Sequence, residues 1–149
     1  MNPISQKIRE TIEAVKPALL VIAPETASRK ASPEAWSKQE ILGHLIDSAC
    51  NNHQRFVRGA QNLARDFPMY KPVQWVEVQR YREMNWQELV ELFYHYNLHL
   101  SRVIDNLSPE AMNNPCNIGK DNPVTIQFVV DDYLRHLRHH LEKILEKPI

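Results

Sequence analysis

The sequence predicts an all-α protein folded as a four-helix bundle, and three observations carry that prediction. Apolar residues recur with a helical period in four long segments, two of those segments open on helix-start signals, and no stretch alternates with the period of a strand. The 149 residues are enough for one domain, 1–149, with a hydrophobic core of its own. Four amphipathic helices without competing strands bury their apolar stripes most economically against one another.

The first helix is predicted over about 3–22. Asn2 and Pro3 suit its start, Ile4, Ile8, Ile12, Val15 and Leu19 form its stripe, and Pro17 predicts a kink. Residues 24–33 are polar and read as a connection, leading into a turn at 32–36. Ser37-Lys38-Gln39-Glu40 is a capping-box sequence, and Trp36 and Ile41 have the spacing of a hydrophobic staple. The second helix therefore begins near residue 38. Its stripe of Ile41, Leu42, Leu45, Ala49, Phe56, Ala60 and Leu63 continues to about Arg65. Asn85-Trp86-Gln87-Glu88 repeats the start signal for a third helix over about 86–106, and Thr125 is the N-cap expected for a last helix ending near residue 146. Two long connections remain, 66–84, with a short helix expected at 75–81, and 108–123. Connections of that length more often form lids or site loops than spacers, so one of them is expected to overhang a pocket.

Composition removes several functions. Lys+Arg and Asp+Glu both number 18, a balance without the positive footprint of nucleic-acid binding. The longest apolar run, 18–23, is too short to span a membrane, and the charged start does not read as a signal peptide, so the expectation is a cytoplasmic protein. Cys50 and Cys116 are expected as free thiols in that compartment. The three glycines form no phosphate-binding loop.

The chemistry is carried by the seven histidines. An α-helix turns by about 100° per residue, so each histidine can be placed against the stripe of its own helix. On the last helix, His140 falls within the margin of Ile126, Val130, Tyr133, Leu137, Leu141 and Ile144, and His136 lies one turn earlier at its edge. His139 points to the solvated side with Glu142, Lys143 and Glu146. A pair at i and i+4 can hold one metal ion, because its ring nitrogens converge over a single turn. His95 and His99 have the same spacing but lie away from Phe93, Leu100 and Ile104, and are expected to face solvent. His53, among Leu42, Ala49 and Ala60, reads as a packed or interface residue.

His44 supplies the third ligand. It sits at the edge of the second helix's stripe, and Ser48, Asn51 and Arg55 continue the same polar line, which reads as a pocket wall. Three neutral imidazoles leave coordination positions open for water or substrate. Asp47 and Asp132 each lie within about a turn of a ligand and could accept a ligand's second ring N–H or stay solvated. Arg55 could hold an anionic group. Asn97 and Tyr133, polar on buried faces, could reach the pocket or bond structurally.

The segments W-S-K-Q-E-I-L-G-H-L-I-D-S-A at 36–49 and Y-L-R-H-L-R-H-H-L-E-K-I at 133–144 resemble the DinB-like superfamily of metal-binding four-helix proteins, which includes bacillithiol transferases and metal-dependent hydrolases. Residues 75–81 and the stretch around Asn97 resemble the family's middle portion. Its motif, a histidine in the second helix and H-x-x-x-H in the last, falls on His44, His136 and His140; His139 remains an alternative to His140. The resemblance implies DinB-like connectivity with two long loops near the metal site, a nickel or zinc ion, a small-molecule substrate such as a low-molecular-weight thiol, and a homodimer. The resemblance fixes no reaction, but the three-histidine site with an open position leads to the expectation of a metal-dependent hydrolase or thiol S-transferase. The alternative is a non-catalytic binding or interaction bundle with a structural or vestigial metal site.

Overall fold

The computed structural model describes residues 2–62 and 66–149. Helix α1 (Pro3–Leu20) opens on the Asn2 side chain, which accepts from Ile4 N, and it continues through Pro17. The polar connection contains a short helix, α2 (Pro24–Ser28), which the sequence reading had left as a loop; Pro24 at its first position and the buried Ala27 explain it. Helix α3 (Lys38–Ala60) begins with the expected reciprocal capping box between Ser37 and Glu40. The continuation expected to Arg65, with Leu63 on its stripe, lies outside the described residues.

In the first long connection, α4 (Pro72–Gln79) starts three residues earlier than expected, because Pro72 is preset for a first helical position. A 3₁₀ turn (Tyr81–Glu83) follows, with Arg80 left-handed at φ 50° between the two. Helix α5 (Trp86–Asp105) is capped by Asn85. The second long connection holds α6 (Pro109–Met112) and two two-residue strands, β1 (Pro115–Cys116) and β2 (Val124–Thr125), paired antiparallel. Two-residue strands are too short to leave an alternating pattern, which is why no strand was expected. Helix α7 (Ile126–Leu145) starts at Thr125, whose side chain accepts from Phe128 N.

The four long helices form a ring in which α1 packs on α5 and α7, and α3 packs on α5 and α7. Consecutive long helices α1 and α3 thus occupy opposite corners, as do α5 and α7. A chain crossing a bundle diagonal needs more residues than a tight turn supplies, which accounts for the lengths of 21–37 and 106–125. The ring also sets α3 directly against α7. Its core includes the fully buried Ile8, Ile12, Leu19, Leu42, Phe56, Leu100, Ile104 and Leu141.

The α4 segment is fastened to α3. Gln39 Nε2 donates to the carbonyls of Tyr81 (2.6 Å) and Met84 (2.7 Å). A Cβ at Gly43 would lie 2.1 Å from the Tyr81 ring, so the glycine lets that ring rest on the α3 backbone. The two long connections meet farther along α3, where Phe67 N donates to Asn117 O at 2.9 Å. Asn114 Nδ2 reaches Gly59 O, also at 2.9 Å, closing that end of the bundle.

Candidate metal centre

His44 projects from the buried side of α3, 5% exposed, toward His136 and His140 of α7. One ligand atom from each of the three lies within 4.8 Å of the others. His44 Nε2 and His136 Nε2 are 3.1 Å apart. Two nitrogens each about 2.0–2.1 Å from one ion would stand about 2.9 Å apart at a right angle and about 3.3 Å apart at a tetrahedral angle. The observed separation lies between these values, so this pair of nitrogens fits a shared divalent transition metal.

The electrostatics agree with that fit. Burial, reinforced by His136 and Lys143, pushes His44 down to about 4; burial with His136, His44 and neighbouring cations pushes His140 down to about 3. Burial also lowers His136. All three rings are therefore neutral near pH 7, the form that binds a metal. His44 Nδ1 and His140 Nδ1 are buried without a hydrogen-bond partner, a cost that an apolar or fully bonded design would avoid.

The surrounding residues separate into those that touch the cluster and those that do not. Ser48 Oγ lies 3.4 Å from His136 Nδ1, and Asn52 Nδ2 donates to Ser48 Oγ at 3.3 Å. Tyr70, from the first long connection, stacks edge-on against Trp75. Asp47 Oδ1 accepts from Tyr81 OH (2.6 Å) and Gln79 Nε2 (2.7 Å), while its Oδ2 is buried without a partner. Burial raises the Asp47 carboxyl despite those two bonds. Asp132 bonds Arg135 on its own helix and reaches His136 only through its charge. Asn97 and Tyr133 form a closed buried pair: Tyr133 OH donates to Asn97 Oδ1 at 2.6 Å, and Asn97 Nδ2 donates to Phe93 O at 2.9 Å. Both are fully or almost fully buried and bonded to each other.

The polar line along α3 does not form one wall. Asn51 and Arg55 border a separate hollow of about 290 Å³ with Gln54, Arg58 and Phe67, and Arg55 Nη1 donates to Asn52. Arg55 is eleven residues beyond His44, about 16 Å along the helix axis. The expectation that Arg55 faces the histidine pocket is therefore corrected: a shared helix face does not mean a shared depth along the axis.

The cleft that reaches the cluster, about 560 Å³, is bordered by His140, Trp36, Ile41, Val73, Glu77 and Lys143, together with Lys30, Pro33, Glu34 and Glu40. Of the two long connections, only the first contributes to it, through Val73 and Glu77 of α4. Trp36, read from the sequence only as a staple, packs its ring 5.0 Å from that of His44. Lys143, one turn past His140, is the cation whose charge acts on all three imidazoles. The sequence places it on the solvated side of α7, and only the packing of α4 turns that flank into the cleft mouth. The first long connection is the one that overhangs the pocket, as expected of one of the two, but which of its residues face the cleft depends on how α4 docks. His139 is exposed, outside the cluster. His95 faces Glu91 at 3.4 Å in solvent, as expected. His53 is half-buried and packs its ring 5.2 Å from that of the exposed His99. Cys50 and Cys116 are free thiols. Among the described residues, no helix is long and apolar enough to cross a membrane.

A diagonal four-helix ring with three histidines converging from two adjacent helices defines a class of helical bundles built around a histidine cluster. The model of the DinB superfamily matches residues 6–144, and the chain belongs to that superfamily. Its fold is similar to that of YfiT from Bacillus subtilis, a probable metal-dependent hydrolase with an unusual four-helix bundle topology. That likeness has a TM-score of 0.84 at 17% identity, covering 96% of this chain and 82% of YfiT. A mycothiol-dependent maleylpyruvate isomerase is similar at a TM-score of 0.70 and 14% identity, over 96% of this chain and 61% of that one. At these identities the likeness is one of fold. No curated protein sequence matches the chain.

Proposed function

We propose that this protein is a metal-dependent enzyme of the hydrolase or thiol S-transferase type, acting on a small molecule in the cleft beside His140. The observation that carries this reading is the convergence of His44, His136 and His140, neutral by burial, with His44 Nε2 and His136 Nε2 3.1 Å apart. These three residues would hold nickel or zinc, since imidazole suits both ions. When bound, such an ion supplies Lewis acidity and favours the deprotonated form of a water or thiol. YfiT's description as a probable metal-dependent hydrolase supports the hydrolytic alternative, and the mycothiol dependence of the second neighbour supports the thiol alternative.

The chain's own residues orient the rest. Ser48, fixed by Asn52, steadies the His136 ring through Nδ1. Trp36 covers one side of His44 and, with Ile41 and Val73, offers the substrate an apolar surface. Lys143 at the mouth attracts an anionic substrate group. The homodimer implied by the family resemblance belongs to the same reading and is checked by light scattering.

The central test is metal content after reloading with Ni²⁺ or Zn²⁺. The wild type is expected to hold about one equivalent in the three-ligand site, and His44→Ala to lose it. Substoichiometric metal in both proteins would overturn the reading.

A further inference from the structure

A second histidine contact crosses the bundle surface, away from the cleft. His53 of α3 and His99 of α5 pack with ring centroids 5.2 Å apart at 77°. The three ring pairs of the candidate metal centre lie closer, with centroids 4.5, 4.8 and 5.0 Å apart, but are edge-on like this one. We propose that His53 and His99 form a second, weaker binding site for a divalent transition metal across the α3–α5 surface.

The neighbours of His53 prepare it for that role. Its Nδ1 lies 3.2 Å from Tyr96 OH, which anchors the ring through that nitrogen. When His53 Nδ1–H donates to the Tyr96 oxygen, Nε2 keeps a bare lone pair. A ligating histidine held through its other nitrogen is the usual arrangement at metal sites. Burial and the nearby His99 lower His53, which keeps the ring neutral. His99 is exposed and free to turn its ring toward an ion. Its helical neighbour His95 is occupied with Glu91, so the partner of His99 comes from the adjacent helix.

Only two protein nitrogens are supplied, and water completes the coordination, so affinity falls below that of the three-histidine centre. Imidazole donors select Ni²⁺, Zn²⁺ or Cu²⁺ over Mg²⁺ and Ca²⁺.

Calorimetric titration of the metal-free full chain with Ni²⁺ tests the proposal. The wild type should show a weak event at least tenfold weaker than the strong one. His53→Ala and His99→Ala should each remove the weak event alone, His44→Ala the strong event alone, and His95→Ala neither. His99→Ala, at an exposed position, keeps the test decisive if His53→Ala disturbs helix packing, which circular dichroism reports. Absence of a weak event in the wild type, its survival in His99→Ala, or its loss in His95→Ala would overturn the proposal. Loss of the strong event from the wild type would count against the three-histidine reading and leave this one standing.

Discussion

The chain carries H-x-x-x-H twice, at His95/His99 and at His136/His140, and the two pairs meet opposite fates. His136 and His140 lie half-buried against α3 and meet His44 there. His95 is 67% exposed and pairs with Glu91 on its own helix. The spacing is identical; the rotation of each pair against its helix's apolar stripe differs. Rotation decides solvation, and burial holds the first set of imidazoles neutral. A motif of this kind is a ligand pair only where a neighbouring helix presents a third group to it. Helix α3 answers both pairs, fully at His44 and in part at His53.

The contrast can be broken most severely by loosening the packing of α3 on α7. Phe56 is fully buried, and its ring stands edge-on to Tyr133 at 6.0 Å. Phe56→Ala should cost about 3–5 kcal/mol in urea-induced unfolding, because it leaves a cavity between the two ligand-bearing helices. Metal retention should weaken with it.

A smaller effect is expected from Ser48→Ala, which removes the group facing His136 Nδ1. Metal affinity should fall about tenfold by calorimetry, with helix content unchanged. Asp132→Asn should leave the affinity unaltered, since Asp132 bonds Arg135 and no ligand nitrogen. If Asp132→Asn has the larger effect, the assignment of Ser48 as the group that positions His136 is wrong.

The smallest effect should follow His95→Ala. At an exposed position its stability change is expected within about 0.5 kcal/mol by urea unfolding. Metal content should match wild type. A loss of metal there would erase the distinction between the two pairs.

The helical stripes, the helix-start signals and the facing of His44, His136 and His140 toward one another were legible because each depends on a local period that the chain carries along its length. Angular position says nothing of depth along a helix, and Asn51 and Arg55 share the first with the site but not the second. Asn97 and Tyr133 showed the limit in another form. Polarity on a buried face was visible in the sequence, but whether those groups faced a pocket or each other was not.

The sequence by itself determined the four helices, their starts and the angular placement of the three histidines, because backbone geometry converts residue spacing into direction without reference to the rest of the fold. The tertiary structure alone decided that consecutive long helices stand on opposite corners, that α4 settles onto Gly43 and Gln39 to form a cleft wall, and that Trp36 and Lys143 join His140 at its mouth. These outcomes depend on which apolar faces meet across long connections, and residue spacing within one helix carries no information about its neighbour.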